Sequence, residues 1–162
     1  MCALFNINNN NKCNIDAAFS TSLNRTGIGI CIRESDGSFV LARTVVHPCL
    51  LQTDVGEALG LHLALQWLSD MQFDHVDFET DSRLTADVFH LDRHDTSDFG
   101  CIIISCRSLF SSLFSNSRME FVRRQANEVA HALARDATLL ASHAVYYDIP
   151  ICIESLIINE ML

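Results

Sequence analysis

The chain has 162 residues, 49% of them hydrophobic and 19% charged, and a formal net charge of −9. Length and balance describe one globular domain with a sizeable core, and they exclude a disordered chain. The 11 Lys and Arg against 20 Asp and Glu also exclude a protein that grips a polyanion by bulk charge alone.

Residues 1–11 are Asn-rich and are expected to form a disordered tail. The opening Met1 to Phe5 has no basic region before it and no long apolar stretch, and no apolar run reaches the ~20 residues that span a bilayer. The expectation is an intracellular protein, of nucleus or cytoplasm, with no membrane contact. Alternating Cys13, Ile15, Ala17 and Phe19 predict a strand over 13–19. Ile28, Ile30 and Ile32 predict a second over 28–33, and Asp36-Gly37 turns the chain into a third over 38–46. A helix follows at 54–70. Taking about 100° per residue, Leu61, Ala64 and Leu68 fall within about 40° of Glu57, which heads the apolar stripe.

Residues 75–80 read as a strand on which Asp77 and Glu79 form a solvated face. Helices are predicted at 82–90 and 98–114, a strand at 118–123 and a last helix at 126–141. That helix carries Ala130, Ala134, Ala137 and Ala141 at close-packing spacing. The order is a three-strand antiparallel meander followed by βα units. It predicts an α/β fold with a mixed five-stranded sheet flanked by helices, because the later crossovers require parallel strands. Residues 12–141 make up the domain, and 142–162 are an extension packed on it or partly disordered. The seven cysteines form no CxxC pair, which points to buried thiols rather than a disulfide framework or a zinc site.

Three acids stand where a core should refuse a charge. Asp16 interrupts an apolar strand, Glu57 heads the apolar stripe of a helix, and Asp81 closes a strand immediately before the next helix. Burying a carboxylate costs several kcal/mol unless a cation or hydrogen bonds compensate, so a shared divalent metal is the simplest common partner. Each acid has a plainer reading: an edge aspartate for Asp16, a helix-dipole acid for Glu57, a helix N-cap for Asp81.

The chain resembles the RNase H type-1 domain, in the plant version that ends non-LTR retroelement reverse transcriptases. The resemblance rests on Asn14-Ile15-Asp16-Ala17-Ala18, on Gly27-Ile28-Gly29-Ile30 with Asp36-Gly37, and on Gly56-Glu57-Ala58-Leu59. It continues through Glu79-Thr80-Asp81-Ser82 and Arg123-Arg124-Gln125-Ala126-Asn127-Glu128-Val129-Ala130-His131. It implies an RNase H-like fold and a metal-dependent endonuclease that hydrolyses the RNA strand of an RNA–DNA hybrid, acting as a monomer. It implies two Mg²⁺ ions, with Mn²⁺ able to substitute, held by Asp16, Glu57, Asp81 and the residue at position 131. Ser82, Arg123, Arg124 and Asn127 would contact nucleic acid, Asn127 having the alternative of simply stabilising the start of the last helix. Water is the nucleophile in such chemistry, so no covalent intermediate is expected.

The sequence departs from the pattern at His131, where the family places an aspartate. Imidazole suits Mg²⁺ less well than carboxylate, which predicts weak Mg²⁺-dependent cleavage partly restored by Mn²⁺. On the helix, His131 points away from Val129 and Leu133, so a surface histidine and a ligand are equal readings. The family's His-containing loop before the last helix is missing, as is its basic protrusion, leaving a local patch of Arg123, Arg124 and Arg135. These departures leave open an alternative, a catalytically inactive binding or interaction module derived from a retroelement.

Overall fold

A computed structural model describes residues 10–162. The expected tail lies outside the described residues except for its last two positions, of which Asn11 already belongs to the first strand. In chain order the elements are β1 (Asn11–Ser20), β2 (Arg25–Arg33), β3 (Phe39–His47), α1 (Thr53–Asp70), β4 (Val76–Thr80) and α2 (Arg83–His90). They continue with α3 (Asp98–Leu113), β5 (Met119–Phe121), α4 (Glu128–Ala137), β6 (Ala144–Tyr146) and α5 (Glu154–Glu160). None of the described helices is long and apolar enough to cross a membrane.

The strands form one sheet in the order β5-β4-β1-β2-β3-β6. β1, β2 and β3 pair antiparallel as a meander, with Gly37 at φ +91° in the turn between β2 and β3. That conformation favours glycine, as the Asp36-Gly37 signal requires. β4 and β5 join in parallel, β4 beside β1. The mixed sheet is as expected, with one strand more than the five predicted. β6 pairs with the outer edge of β3, using residues of the segment whose form the sequence leaves undetermined.

Period-two alternation divides the sheet into two faces. Ile15, Ile28, Ile30, Leu41 and Phe78 face α1 and α3 and form the larger core with Leu61, Ala64, Leu65 and Leu68 of α1. The opposite face carries Cys31 and Ala42 under α4 and α5, where Val129, Leu133, Ile153 and Ile157 complete a smaller core. α4 lies very close to β2. A Cβ on Gly29 would sit 2.3 Å from the Ala130 carbonyl oxygen, and one on Gly27 would sit 2.1 Å from that of Ala134. The alanines of α4 and the bare glycines of β2 together permit that approach, which fixes where every α4 side chain points.

The C-terminal segment closes the smaller core. Ile153 and Ile157 are fully buried, and Glu160 pairs with the buried Arg33. Arg33 in turn donates through Nε and Nη2 to Asn14 Oδ1, and Asn14 Nδ2 donates to Glu79 Oε2 at 2.8 Å. Asp77 and Glu79 therefore do not form the expected solvated face. Glu79 is 5% exposed and pairs with Lys12, while Asp77 pairs with Arg118. Alternation places both side chains on one face but says nothing of the cations across the strand that make their burial tolerable.

The six described cysteines are free. Cys13, Cys31 and Cys106 are buried thiols as expected, whereas Cys49 and Cys101 are exposed and Cys152 is half-buried; Cys2 lies outside the described residues.

Candidate active site

Asp16 sits midway along β1, opposite Gly29 on β2. Its neighbours Ile15 and Ala17 face α1, so the strand pleat turns Asp16 toward α4. Asp81 follows the last residue of β4, the parallel neighbour of β1. Ligand chemistry in such sheets collects at the carboxyl ends of strands, and that is where these two acids meet. Glu57 arrives from the second turn of α1, whose buried Leu61, Ala64 and Leu68 hold the helix on the sheet as the wheel predicts.

Ser82 is the N-cap of α2; its hydroxyl accepts from Thr85 N and pairs with Thr85 Oγ1 at 2.8 Å. Asp81 is thus released from the capping role that competed with its use as a ligand. The Ser82 hydroxyl, expected at nucleic acid, is engaged in the cap instead.

Asp16 is 1% exposed, and its two oxygens have opposite surroundings. Oδ2 accepts from His131 Nδ1 at 2.7 Å and from Arg124 Nη1 at 3.2 Å. Oδ1 is buried with no partner, and so is Glu57 Oε2. Arg124 also reaches Asp81, with Nε 2.8 Å from Oδ2, and its Nη1 lies against His131 Nδ1. Its guanidinium spans the two aspartates while its own side chain stays 53% exposed.

Asn127, read as either a nucleic-acid contact or a residue that stabilises the helix start, is fully buried beneath the cluster. Its Nδ2 donates to the Ile15 carbonyl at 2.9 Å and to Asp81 Oδ1 at 3.2 Å, tying β1, the end of β4 and the start of α4 together. His131, read as equally a surface residue, is turned to Asp16. The wheel shows that it leaves the apolar stripe of α4, but not that the sheet beneath presents an acid there. Arg123 is exposed and takes no part in the cluster.

Electrostatics explain the orphaned oxygens. Burial, then the charges of Asp16 and Asp81, push Glu57 up to about 9. Asp16 is also raised, by burial first and Asp81 second, against the lowering effect of His131 and Arg124. Among the described residues no trio of His, Cys, Asp and Glu converges tightly enough to hold an ion as the side chains stand. The donors nevertheless suit a hard divalent cation: two buried, unpartnered carboxyl oxygens, on carboxyls close enough that the charge of Asp16 acts on Glu57.

Residues 14–137 match the family described as reverse transcriptase-like. None of the curated proteins matches the chain. Among solved structures, RNase H1 from the halophilic archaeon Halobacterium salinarum NRC-1 is similar at TM-score 0.69 and 23% identity, over 78% of this chain and 96% of that one. LC11-RNase H1, isolated from compost by a metagenomic approach, is similar at TM-score 0.70 and 18% identity, over 80% and 96%. The same enzyme in complex with RNA/DNA hybrid matches at TM-score 0.68 and 17% identity, over 79% and 96%. These likenesses establish an RNase H-like α/β fold.

Proposed function

The chain belongs to the reverse transcriptase-like family, and from that premise we propose that it is a divalent-metal-dependent endonuclease hydrolysing the RNA strand of RNA–DNA hybrids. The observation that carries this reading is the pair of buried, unpartnered carboxyl oxygens on Asp16 and Glu57, beside Asp81 at the end of the neighbouring strand. A scaffold gains nothing from them, since each costs about 1–3 kcal/mol left unsatisfied. The hybrid bound to a structure of the same fold supports the substrate class, and the order of motifs from Asn14 to His131 supports a place among the plant, retroelement-type RNase H domains.

Asp16, Glu57 and Asp81 would hold the cation, with His131 at the margin beside Asp16. A bound Mg²⁺ or Mn²⁺ supplies Lewis-acid charge at the scissile phosphate and lowers the pKa of an attacking water. The chain's own groups do the positioning. Asn127 fixes Asp81, and His131 fixes Asp16 by hydrogen bonding to Oδ2. Arg124 presents a half-exposed guanidinium at the rim, suited to a phosphate oxygen. Arg123 and Arg135, both exposed, extend that rim. With imidazole where the resemblance places carboxylate, Mg²⁺-supported cleavage is weak and Mn²⁺ restores part of it.

Labelled RNA–DNA hybrid incubated with the protein in Mg²⁺ and separately in Mn²⁺ tests the reading, with Asp81→Asn as control. The expected result is RNA-strand cutting that disappears in the control. A folded protein that cuts in neither metal would reverse it. The second reading, a non-catalytic binding module, is favoured by Arg124, which already spans Asp16 and Asp81. Under that reading millimolar Mn²⁺ leaves the melting temperature unchanged; under the enzyme reading it raises it, and Asp81→Asn removes the gain.

A further inference from the structure

We propose that this site takes a single divalent ion, on the side of Asp16 Oδ1 and Glu57 Oε2, and that Arg124 and His131 hold the other side of Asp16 in place of a second ion. The inference rests on the metal-dependent reading above and concerns only how many ions the site accepts.

A carboxylate that bridges two cations must offer one oxygen to each. In this protein the two oxygens of Asp16 are already unequal. Oδ1 has no partner, and Oε2 of Glu57, whose carboxyl feels the charge of Asp16, has none either. Oδ2 has two, Arg124 Nη1 and His131 Nδ1. A second ion at Oδ2 would have to displace both.

Neither displacement is a small motion. Arg124 is anchored at two points, on Asp16 and through Nε on Asp81, and its backbone lies in a short 3-10 turn, Arg124–Ala126, that leads directly into α4. His131 sits on α4 where the helix backbone meets β2 at Gly29, so the helix cannot move closer or slide without a backbone collision. The Asn127 side chain pins the start of the same helix to β1 and Asp81.

The charge balance agrees. A second dication needs compensating negative charge nearby, and α4 supplies none: its acids Glu128 and Asp136 make no hydrogen bond or ion pair with the cluster, and Asp136 lies near enough to Cys152 to raise its thiol. The position facing Asp16 instead holds an imidazole with a guanidinium against it. One permanent positive charge is already in the site, fixed to two of its three acids. By contrast, the Oδ1 side has two carboxyl oxygens, and Mg²⁺ or Mn²⁺ is commonly held by one or two carboxylates with water and substrate completing its shell.

Counting Mn²⁺ bound per chain tests this, by loss of the free-ion EPR signal on titrating the full-length protein with Mn²⁺ alone. One ion is expected for the native chain, none for Glu57→Gln at the concentration that saturates the native site, and two for the double variant Arg124→Gln, His131→Asp. His131→Asp alone is measured in parallel, and circular dichroism confirms that each variant is folded. A native chain that binds two ions overturns the inference and leaves the nuclease reading standing. One ion on both native and double-variant chains overturns the role given to Arg124 and His131. No ion on the native chain overturns the metal-dependent reading itself, and hybrid cleavage then fails with it.

Discussion

An acceptor buried without a donor is costly, and the residues of the cluster divide by whether they relieve that cost or create it. Asn127 does both: its Nδ2 donates to the Ile15 carbonyl and to Asp81 Oδ1, while its own Oδ1 is buried without a partner. Asn127→Ala leaves those two acceptors unsatisfied, so unfolding should become easier by about 1–3 kcal/mol, read as a lowered denaturation midpoint with unchanged slope. Glu57 creates the cost. Glu57→Gln removes one of three neighbouring acids, so in EDTA the melting temperature should stay level or rise, while the gain produced by Mn²⁺ disappears. Thiols follow the same logic of burial. Cys31 and Cys106 are pushed up to about 12 by burial, whereas Cys49 and Cys101 are exposed. Brief iodoacetamide treatment followed by mass spectrometry should label Cys49 and Cys101 and spare Cys31 and Cys106 until denaturant is added. At this scale the acids were legible, because a charge within an apolar pattern is conspicuous in one dimension. The partners were not: Arg124 lies 108 residues from Asp16, and nothing local links them.

Elements bring those partners together, and the contact between β2 and α4 is the decisive one. Gly29→Ala would drive a methyl into the Ala130 carbonyl. The helix would have to lift from the sheet, at a cost of about 1–3 kcal/mol, measured by thermal or urea unfolding. His131 and Asn127 would lift with it, so metal affinity should fall more than for a change of similar cost in the α1 core. The C-terminal segment is the second such device. A chain ending at Ala141 loses β6 and α5, and with them the buried Ile153 and Ile157 and the partner of Arg33. The smaller core then lies open, and Cys31 should become alkylated in the otherwise folded protein. The helices and strands up to α4 were readable from period and turn chemistry. β6 was not, since Ala144–Tyr146 is too short to show a period and strand pairing alone defines it.

For the whole molecule, the net charge of −9 sets the terms on which a polyanion is bound. Among the described residues the rim offers the exposed cations Arg123, Arg124 and Arg135, and Arg83, also exposed, lies over the Phe121 ring, so few counterions are released on binding. Hybrid binding measured between low and physiological salt should give a shallow slope of about −2 to −3 in log K against log salt. Arg135→Ala should reduce its magnitude by about one while leaving the melting temperature within a degree or two. The fold supplies what charge does not: a rigid sheet that fixes three acids from two adjoining strands and a helix.

The sequence by itself determined the order of elements as far as α4, the antiparallel meander, the parallel continuation and the acids at positions 16, 57 and 81. All of these follow from periodicity, turn residues and the exclusion of charge from apolar runs, which are local properties. Only the tertiary structure decided that Asp77 and Glu79 are buried by cross-strand cations, that Asn127 lies under the site and that Ser82 rather than Asp81 caps α2. It also decided that His131 and Arg124 meet on a single oxygen of Asp16. Each of those outcomes depends on which side chain the folded chain places opposite another, and a linear pattern specifies the face a residue takes without naming its partner across the gap.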